Sequence, residues 1–283
     1  MILTSDDYKR LRDFIYRKTG LFFEDKKLYF MEKRIKSRIE ITKCESPIEY
    51  LKMLQFYDTN GNELQSFLNV LTTNETYFFR EFEQLASFAE HCLPEICERK
   101  KALSNFRLRI WSAGCSTGEE PYTLAIILRE MLDNVDEWLI EIIGTDINTK
   151  VLNFAKNAVY ESRAIKDVPP EYLNRWFLKS TNSIGSETFR VHPTIRSMCN
   201  FEQLNLSDKV RMRLFRNVDF IFCRNVLIYF DEDSRKQVVG NLYDSLNPEG
   251  YIFLGHSESM SRISSAFKIR RKGGFIVYQK TEY

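Results

Sequence analysis

The chain has 283 residues, of which 43% are hydrophobic, 14% aromatic and 28% charged. This balance excludes wholesale disorder and leaves room for one sizeable α/β domain with a smaller partner. A formal net charge of +2 argues against a generally basic nucleic-acid binder, so any cationic partner surface must be local.

Six cysteines (Cys44, Cys92, Cys97, Cys115, Cys199 and Cys223) are scattered without a CxxC pair, so no metal or disulfide pattern is expected. The opening MILTSDDYKR has acidic residues where a signal peptide needs an apolar stretch. No uncharged apolar run reaches the ~18 residues of a membrane span. A cytoplasmic protein with no membrane insertion is expected.

From Ser5 to about Lys101, apolar residues recur at spacings of three and four, as in Leu11, Phe14 and Ile15 and later Leu64, Phe67, Leu68 and Leu71. This spacing predicts a helical unit. Ser46-Pro47 offers an N-cap followed by proline at the first helical position, and Asn60-Gly61 marks a turn before the next helix. At Arg107 the texture changes: RLRIWSAG predicts a strand running into glycine, followed by the apolar helix PYTLAIILREML. LIEIIGTDI (Leu139 to Ile147) predicts a second strand, and a helix from near Asn148 carries Val151, Leu152 and Ala155. That alternation implies a parallel sheet.

A turn-rich stretch then interrupts the alternation, with a hairpin expected around Asn182 to Ser186; it is read as an inserted subdomain over residues 161–200. VDFIFCRN (Val218 to Asn225) resumes the pattern as a strand buried on both faces. A helix from Asp231 to Leu246, a turn at Asn247-Pro248-Glu249-Gly250 and the strand YIFLGHSE follow. FKIRRKGGFIVYQK predicts a closing antiparallel hairpin at Gly273-Gly274. The expected division is a helical domain over 1–101 and a sheet domain over 102–283.

SAGCSTGEEP (Ser112 to Pro121) puts Gly114 and Gly118 between a strand end and a helix start, where a cofactor needs a tight backbone path. Asp146 ends the next strand, where an acidic group can accept hydrogen bonds from ribose hydroxyls. The turn is not GxGxxG, and Glu119 and Glu120 near a helix N-terminus would repel a pyrophosphate. Carboxylates there suit a cofactor with cationic groups and free hydroxyls. The competing reading is simple stabilisation of the helix dipole. Arg224 and Asn225 follow the third strand at the carboxyl edge of the sheet, where open α/β sheets bind ligands.

In NETYFFRE (Asn74 to Glu81), Asn74 and Thr76 could cap a helix, while Arg80 could orient a carboxylate or merely pair with Glu81 or Glu83. In KKLYFMEKRIKSRIE, Lys27, Arg34 and Arg38 share one helix face and Leu28, Met31, Ile35 and Ile39 turn toward a core. An acidic helical partner fits that face, although most such runs are only solvated. His91, His192 and His256 are isolated, so hydrolase chemistry has no visible constellation.

Taken in order along the chain, NETYFFRE, RIWSAGCSTGEEPYTLAI, GTDIN, FEQLNL, FIFCRNVLIYFD and GHSES resemble the CheR-type chemotaxis receptor glutamate methyltransferases. The resemblance implies a Rossmann-like, S-adenosylmethionine-dependent methyltransferase sheet with an N-terminal helical domain and a small inserted β-subdomain. It implies that Asn74, Thr76, Arg80, Glu120, Asp146, Asn205, Leu206, Asn225 and Val226 contact S-adenosylmethionine and its product S-adenosylhomocysteine. It further implies that Arg80 and Tyr229 border the methyl-transfer site. Arg34 and Arg38 match the basic pattern of the family's receptor-docking helix, with isoleucine in place of leucine. The expected partners are chemotaxis receptors, through their acidic methylation helices; in some members the β-subdomain also grips a receptor C-terminal peptide. Two alternatives stand beside this: a methyltransferase with another substrate, and a non-catalytic S-adenosylmethionine-binding regulator.

Overall fold

The computed structural model describes residues 3–260 and 263–281; the outermost ends of both expected domains, and the first two residues of the opening segment, lie outside the described residues. Four helices open the chain: α1 (Ser5–Thr19), α2 (Leu28–Thr42), α3 (Pro47–Lys52) and α4 (Asn62–Leu71). Local signals set their ends. Thr4 and Asp7 form a capping box at α1, and Ser46 accepts the Glu49 amide at 3.1 Å with Pro47 in first position at α3. Along α2, Met31, Ile35 and Ile39 recur every fourth residue and are buried, which fixes the face it turns inward. A non-helical segment leads to α5 (Phe82–Ser87) and α6 (Leu93–Ala102).

The sheet domain runs β1 (Arg107–Ala113), α7 (Glu119–Met131), β2 (Leu139–Asp146), α8 (Thr149–Asn157), β3 (Val159–Glu161), α9 (Pro170–Trp176), β4 (Phe177–Thr181) and β5 (Glu187–Val191). It continues with α10 (Pro193–Arg196), β6 (Cys199–Gln203), α11 (Lys209–Met212), β7 (Val218–Cys223), α12 (Glu232–Ser245), β8 (Leu246–Leu254), β9 (Phe267–Lys272) and β10 (Phe275–Lys280). Seven strands form one sheet in the order β6-β2-β1-β7-β8-β10-β9, parallel except for the last two, which run as an antiparallel hairpin. The order reverses between β1 and β7, which makes the carboxyl ends of β1, β2 and β7 the place for a ligand.

Both faces of this sheet are covered, as the strand sequences require. In β7, Val218, Ile221 and Cys223 join a core shared with α1, α2, α4 and α12, while Phe220 and Phe222 face the opposite core with α5, α6 and α7. Phe88, between α5 and α6, stands edge-on to Phe220, Phe222 and Phe253 at centroid distances of 5.0 to 5.7 Å. Each such side chain removed from water contributes about 1.5–3 kcal/mol. Among the described residues, no helix is long and apolar enough to cross a membrane.

Three expectations need adjustment. The small sheet, ordered β3-β5-β4, begins at Val159, before position 161. Cys199 and Asn200 already pair with Ile142 and Ile143 of β2, so the end of the expected insert belongs to the main sheet. β6 escaped notice because an edge strand of five residues, buried at alternate positions, lacks the continuous apolar run of β7. Asn247 to Gly250 is not a separate turn: these residues lie within β8, where its register with β7 shifts and Glu249 has φ +61°.

Candidate active site

A cavity of about 310 Å3 lies at the carboxyl edge of the large sheet, near the lower end of the range of about 300–1,000 Å3 for small-molecule sites. Its walls come from the turns after β1, β2 and β7, from residues 71–80, and from the N-terminal segment at Leu21 and Phe23. Asn74, Thr76, Arg80, Glu120, Asp146, Asn205, Leu206, Asn225, Val226 and Tyr229 all line it. The structure brings these ten together from segments spread over 156 positions (74 to 229). Arg34 and Arg38 lie elsewhere, on α2.

Residues 72–81 form no helix, so Asn74 and Thr76 are not caps; the Asn74 amide donates to Thr72 instead. Two aromatic residues hold this segment. The Phe78 amide donates to the Ala164 carbonyl at 2.9 Å, and its ring meets Tyr160 and Phe177 edge-on. The Phe79 amide donates to Thr123 Oγ1 at 3.2 Å. Phe79 and Glu81 both have φ +57°, which is uncommon without glycine and collects where a site needs it. Arg80 Nη1 donates to the Glu75 carbonyl at 2.7 Å, and its guanidinium lies 5.8 Å from the Tyr77 ring centroid. The pairing with Glu81 or Glu83 does not form. Glu81 turns to Arg224 instead.

Asp146 is buried, and each oxygen is held: Oδ2 accepts the Ser116 amide and Oδ1 the Asn148 amide, both at 2.9 Å. Burial pushes its carboxyl up while these backbone bonds pull it down. The adjacent glutamates part company. Glu119 is buried outside the cavity lining, takes a hydrogen bond from Thr117 Oγ1, and is pushed up to about 7 by burial. Glu120 lines the cavity, accepts Ser112 Oγ at 2.6 Å and pairs with Arg224 Nη1 at 3.1 Å. This helix start therefore carries less bare negative charge than Glu119 and Glu120 suggest in sequence, since Arg224 offsets one carboxylate and burial favours the protonated form of the other.

Arg224 is the residue that sequence reasoning undervalued. Its side chain is 4% exposed; it donates to Glu120 Oε2 at 3.1 Å and to the Arg80 carbonyl at 2.5 Å, and forms an ion pair with Glu81 Oε2 at 3.1 Å. It thereby ties the turn after β7 to α7 and to the Arg80 segment. Asn225 follows with φ +59°. Gly114 has φ +85°, and a Cβ there would come 2.4 Å from Val226 Cγ2, so glycine allows these two turns to meet beside the cavity.

Tyr229 ends the short helical turn Leu227–Tyr229 and donates to the Thr73 carbonyl at 3.3 Å. Burial pushes its hydroxyl up, and the Arg80 charge opposes that rise. Asn205 holds the Lys18 carbonyl through Nδ2, and Leu206 is buried beside it. Cys115 is fully packed, and burial raises its thiol well above the ordinary range, as expected of a packing residue rather than a nucleophile.

On α2, the two arginines differ. Arg34 stacks on Phe30 at 3.8 Å and is partly exposed. Arg38 is engaged internally: Nη2 and Nε meet Glu63 at 2.5 and 2.9 Å, and Tyr50 donates to the same carboxylate at 2.6 Å. Lys27 precedes α2 in the short turn Asp25–Lys27. The cationic face is thus narrower than the residue spacing suggests.

The lining fits a ligand carrying hydroxyls, an apolar body and a charged end: a carboxylate fixed by two amides at the end of β2, a glutamate paired with Arg224 in the first turn of α7, and Leu206 and Val226 between polar groups. Two family models together match most of the chain: "CheR methyltransferase, all-alpha domain" over residues 6–72 and "CheR methyltransferase, SAM binding domain" over residues 74–274. The chain is 43% identical over 271 residues to chemotaxis protein methyltransferase 2 of Vibrio cholerae, covering 96% of this chain and 91% of that one. It is 34% identical to the chemotaxis protein methyltransferase of Borreliella burgdorferi, covering 91% and 89%. It is 32% identical to that of Escherichia coli, covering 95% and 90%. The chain therefore belongs to the CheR methyltransferase family, whose sheet domain binds S-adenosylmethionine.

Proposed function

We propose that this enzyme transfers a methyl group from S-adenosylmethionine to glutamate side chains of chemotaxis receptors, in the cytoplasm, forming methyl esters. The observation that carries the reading is the convergence of all ten expected residues on one cavity, with Arg80 and Tyr229 among its lining. When bound, the cofactor supplies an electrophilic methyl on its sulfonium and leaves as S-adenosylhomocysteine. Asp146 is the acceptor for ribose hydroxyls, and Glu120, Asn74, Thr76, Asn205, Leu206, Asn225 and Val226 complete the binding set.

A glutamate side chain has a pKa of about 4.3, so near neutral pH its oxygen is already a nucleophile and needs no general base. Arg80 and Tyr229 would hold that carboxylate by charge and hydrogen bonding. Alignment of this kind contributes up to roughly 7–11 kcal/mol. The absence of a His or Cys constellation is then no obstacle.

The receptor would approach through its acidic methylation helices, with Arg34 offering a partly exposed cation on α2 beside the exposed Lys33. β4 is an outer strand of the small sheet with four successive exposed residues, and it is the edge to which a receptor C-terminal peptide would add. The test is mass spectrometry of receptor glutamates after incubation with enzyme and cofactor. Esterified glutamate that depends on intact Arg80 supports the reading. Cofactor binding without esterification favours a regulator or another substrate.

A further inference from the structure

GHSES, the last of the sequence motifs, has so far no role. Its glutamate, Glu258, lies in the loop after β8 and accepts three backbone amides: Asn225 and Gly255 on Oε2, both at 2.8 Å, and Ile228 on Oε1 at 3.3 Å. Two of these amides belong to the turn after β7, the stretch that carries Asn225, Val226 and Tyr229 into the cavity. The third belongs to the glutamate's own loop. A Cβ on Gly255 would come 2.7 Å from Asn225 Nδ2 and 2.9 Å from its amide nitrogen, so the two loops lie against each other where only glycine fits.

We propose that Glu258 is a positioning residue for methyl transfer: its carboxylate joins the loop after β8 to the turn after β7 and holds Asn225, Val226 and Tyr229 in place. The proposal rests on the function given above. Asn225 needs such a hold, because its φ of +59° is sparsely populated even for asparagine and persists only where surroundings impose it. Ile228 lies in the short turn Leu227–Tyr229, and its amide has no partner earlier in that single turn. A carboxylate suits the task because it accepts on both oxygens and donates on neither. Burial pushes the Glu258 carboxyl up, while the same amides pull it down. Glu258 need not touch cofactor or substrate; it acts through the backbone of residues that do.

The experiment compares wild type, Glu258→Gln and Glu258→Asp for S-adenosylhomocysteine Kd by calorimetry, for kcat and receptor KM, and for Tm. Glutamine keeps the shape but turns an N–H toward the incoming amides. The expected result is a Kd raised about tenfold or more and a lowered kcat, with receptor KM within about twofold of wild type. A purely structural role would lower Tm and active fraction but leave the Kd of the folded protein unchanged. Aspartate keeps both acceptors about 1.5 Å short of the amides and should fall between; it also provides the reading if the glutamine variant does not fold. Wild-type Kd in Glu258→Gln, or in Glu258→Asp where only that variant folds, overturns the positioning role alone. Failure of wild type to bind S-adenosylhomocysteine would instead overturn the function on which it rests.

Discussion

Arg34 and Arg38 lie one turn apart on α2, yet reversing their charges should have opposite consequences. Arg38 and Glu63 are 14% and 13% exposed at their side chains and share two hydrogen bonds, with Tyr50 donating to the same carboxylate. Breaking a fully buried pair costs about 3–5 kcal/mol. With the residual water access here, Arg38→Glu should cost about 2–3 kcal/mol, and a Tm fall of roughly 5–10 °C follows. Arg34 loses its stack on Phe30 and one long, exposed hydrogen bond of 3.4 Å from Nε to the Val70 carbonyl, together worth about 1 kcal/mol. Arg34→Glu should therefore melt close to wild type but raise receptor KM, most strongly at low salt, with cofactor Kd unchanged. The assay is thermal unfolding beside initial methylation rates over a range of receptor concentrations. An Arg38→Glu protein that melts like wild type and is defective only in receptor KM would refute this division.

Arg80→Ala should lower kcat about a hundredfold, because alignment is lost, and leave Tm nearly unchanged, since its hydrogen bond is to one carbonyl; single-turnover transfer checks this. Gly114→Ala, with φ +85° and a Cβ 2.4 Å from Val226 Cγ2, should cost about 1–3 kcal/mol and weaken cofactor binding, as seen by calorimetry and melting. For Glu119 the sign follows from its carboxyl sitting at about 7 when folded against an ordinary 4.5. The folded state keeps a proton that the unfolded chain releases, so stability falls between pH 4.5 and about 7, by about 3 kcal/mol. Glu119→Gln should remove that slope, and denaturant unfolding from pH 4.5 to 8 would show the two proteins diverging as pH rises.

The alternation of strand and helix, the cap at Ser46, the helix start near Asn148 and the glycine hairpin at Gly273-Gly274 were legible because each rests on local chemistry. β7 was legible because every residue in it is buried. β6 was not, since its pairing with β2 depends on a long-range contact that five residues do not announce. The site shows the same split. Asp146 and Asn225 could be expected from strand ends, whereas the bridge from Arg224 to Glu81 and Glu120 exists only once three distant segments meet. Arg38 likewise reads as a surface cation until Glu63 is folded against it.

The account stands most directly on the chemistry of the product. Labelled methyl from S-adenosylmethionine should pass to receptor-containing membranes and be released as methanol by mild base, the behaviour of a carboxyl methyl ester. Label that remains on the receptor after base treatment, or cofactor binding with no receptor label at all, would contradict it.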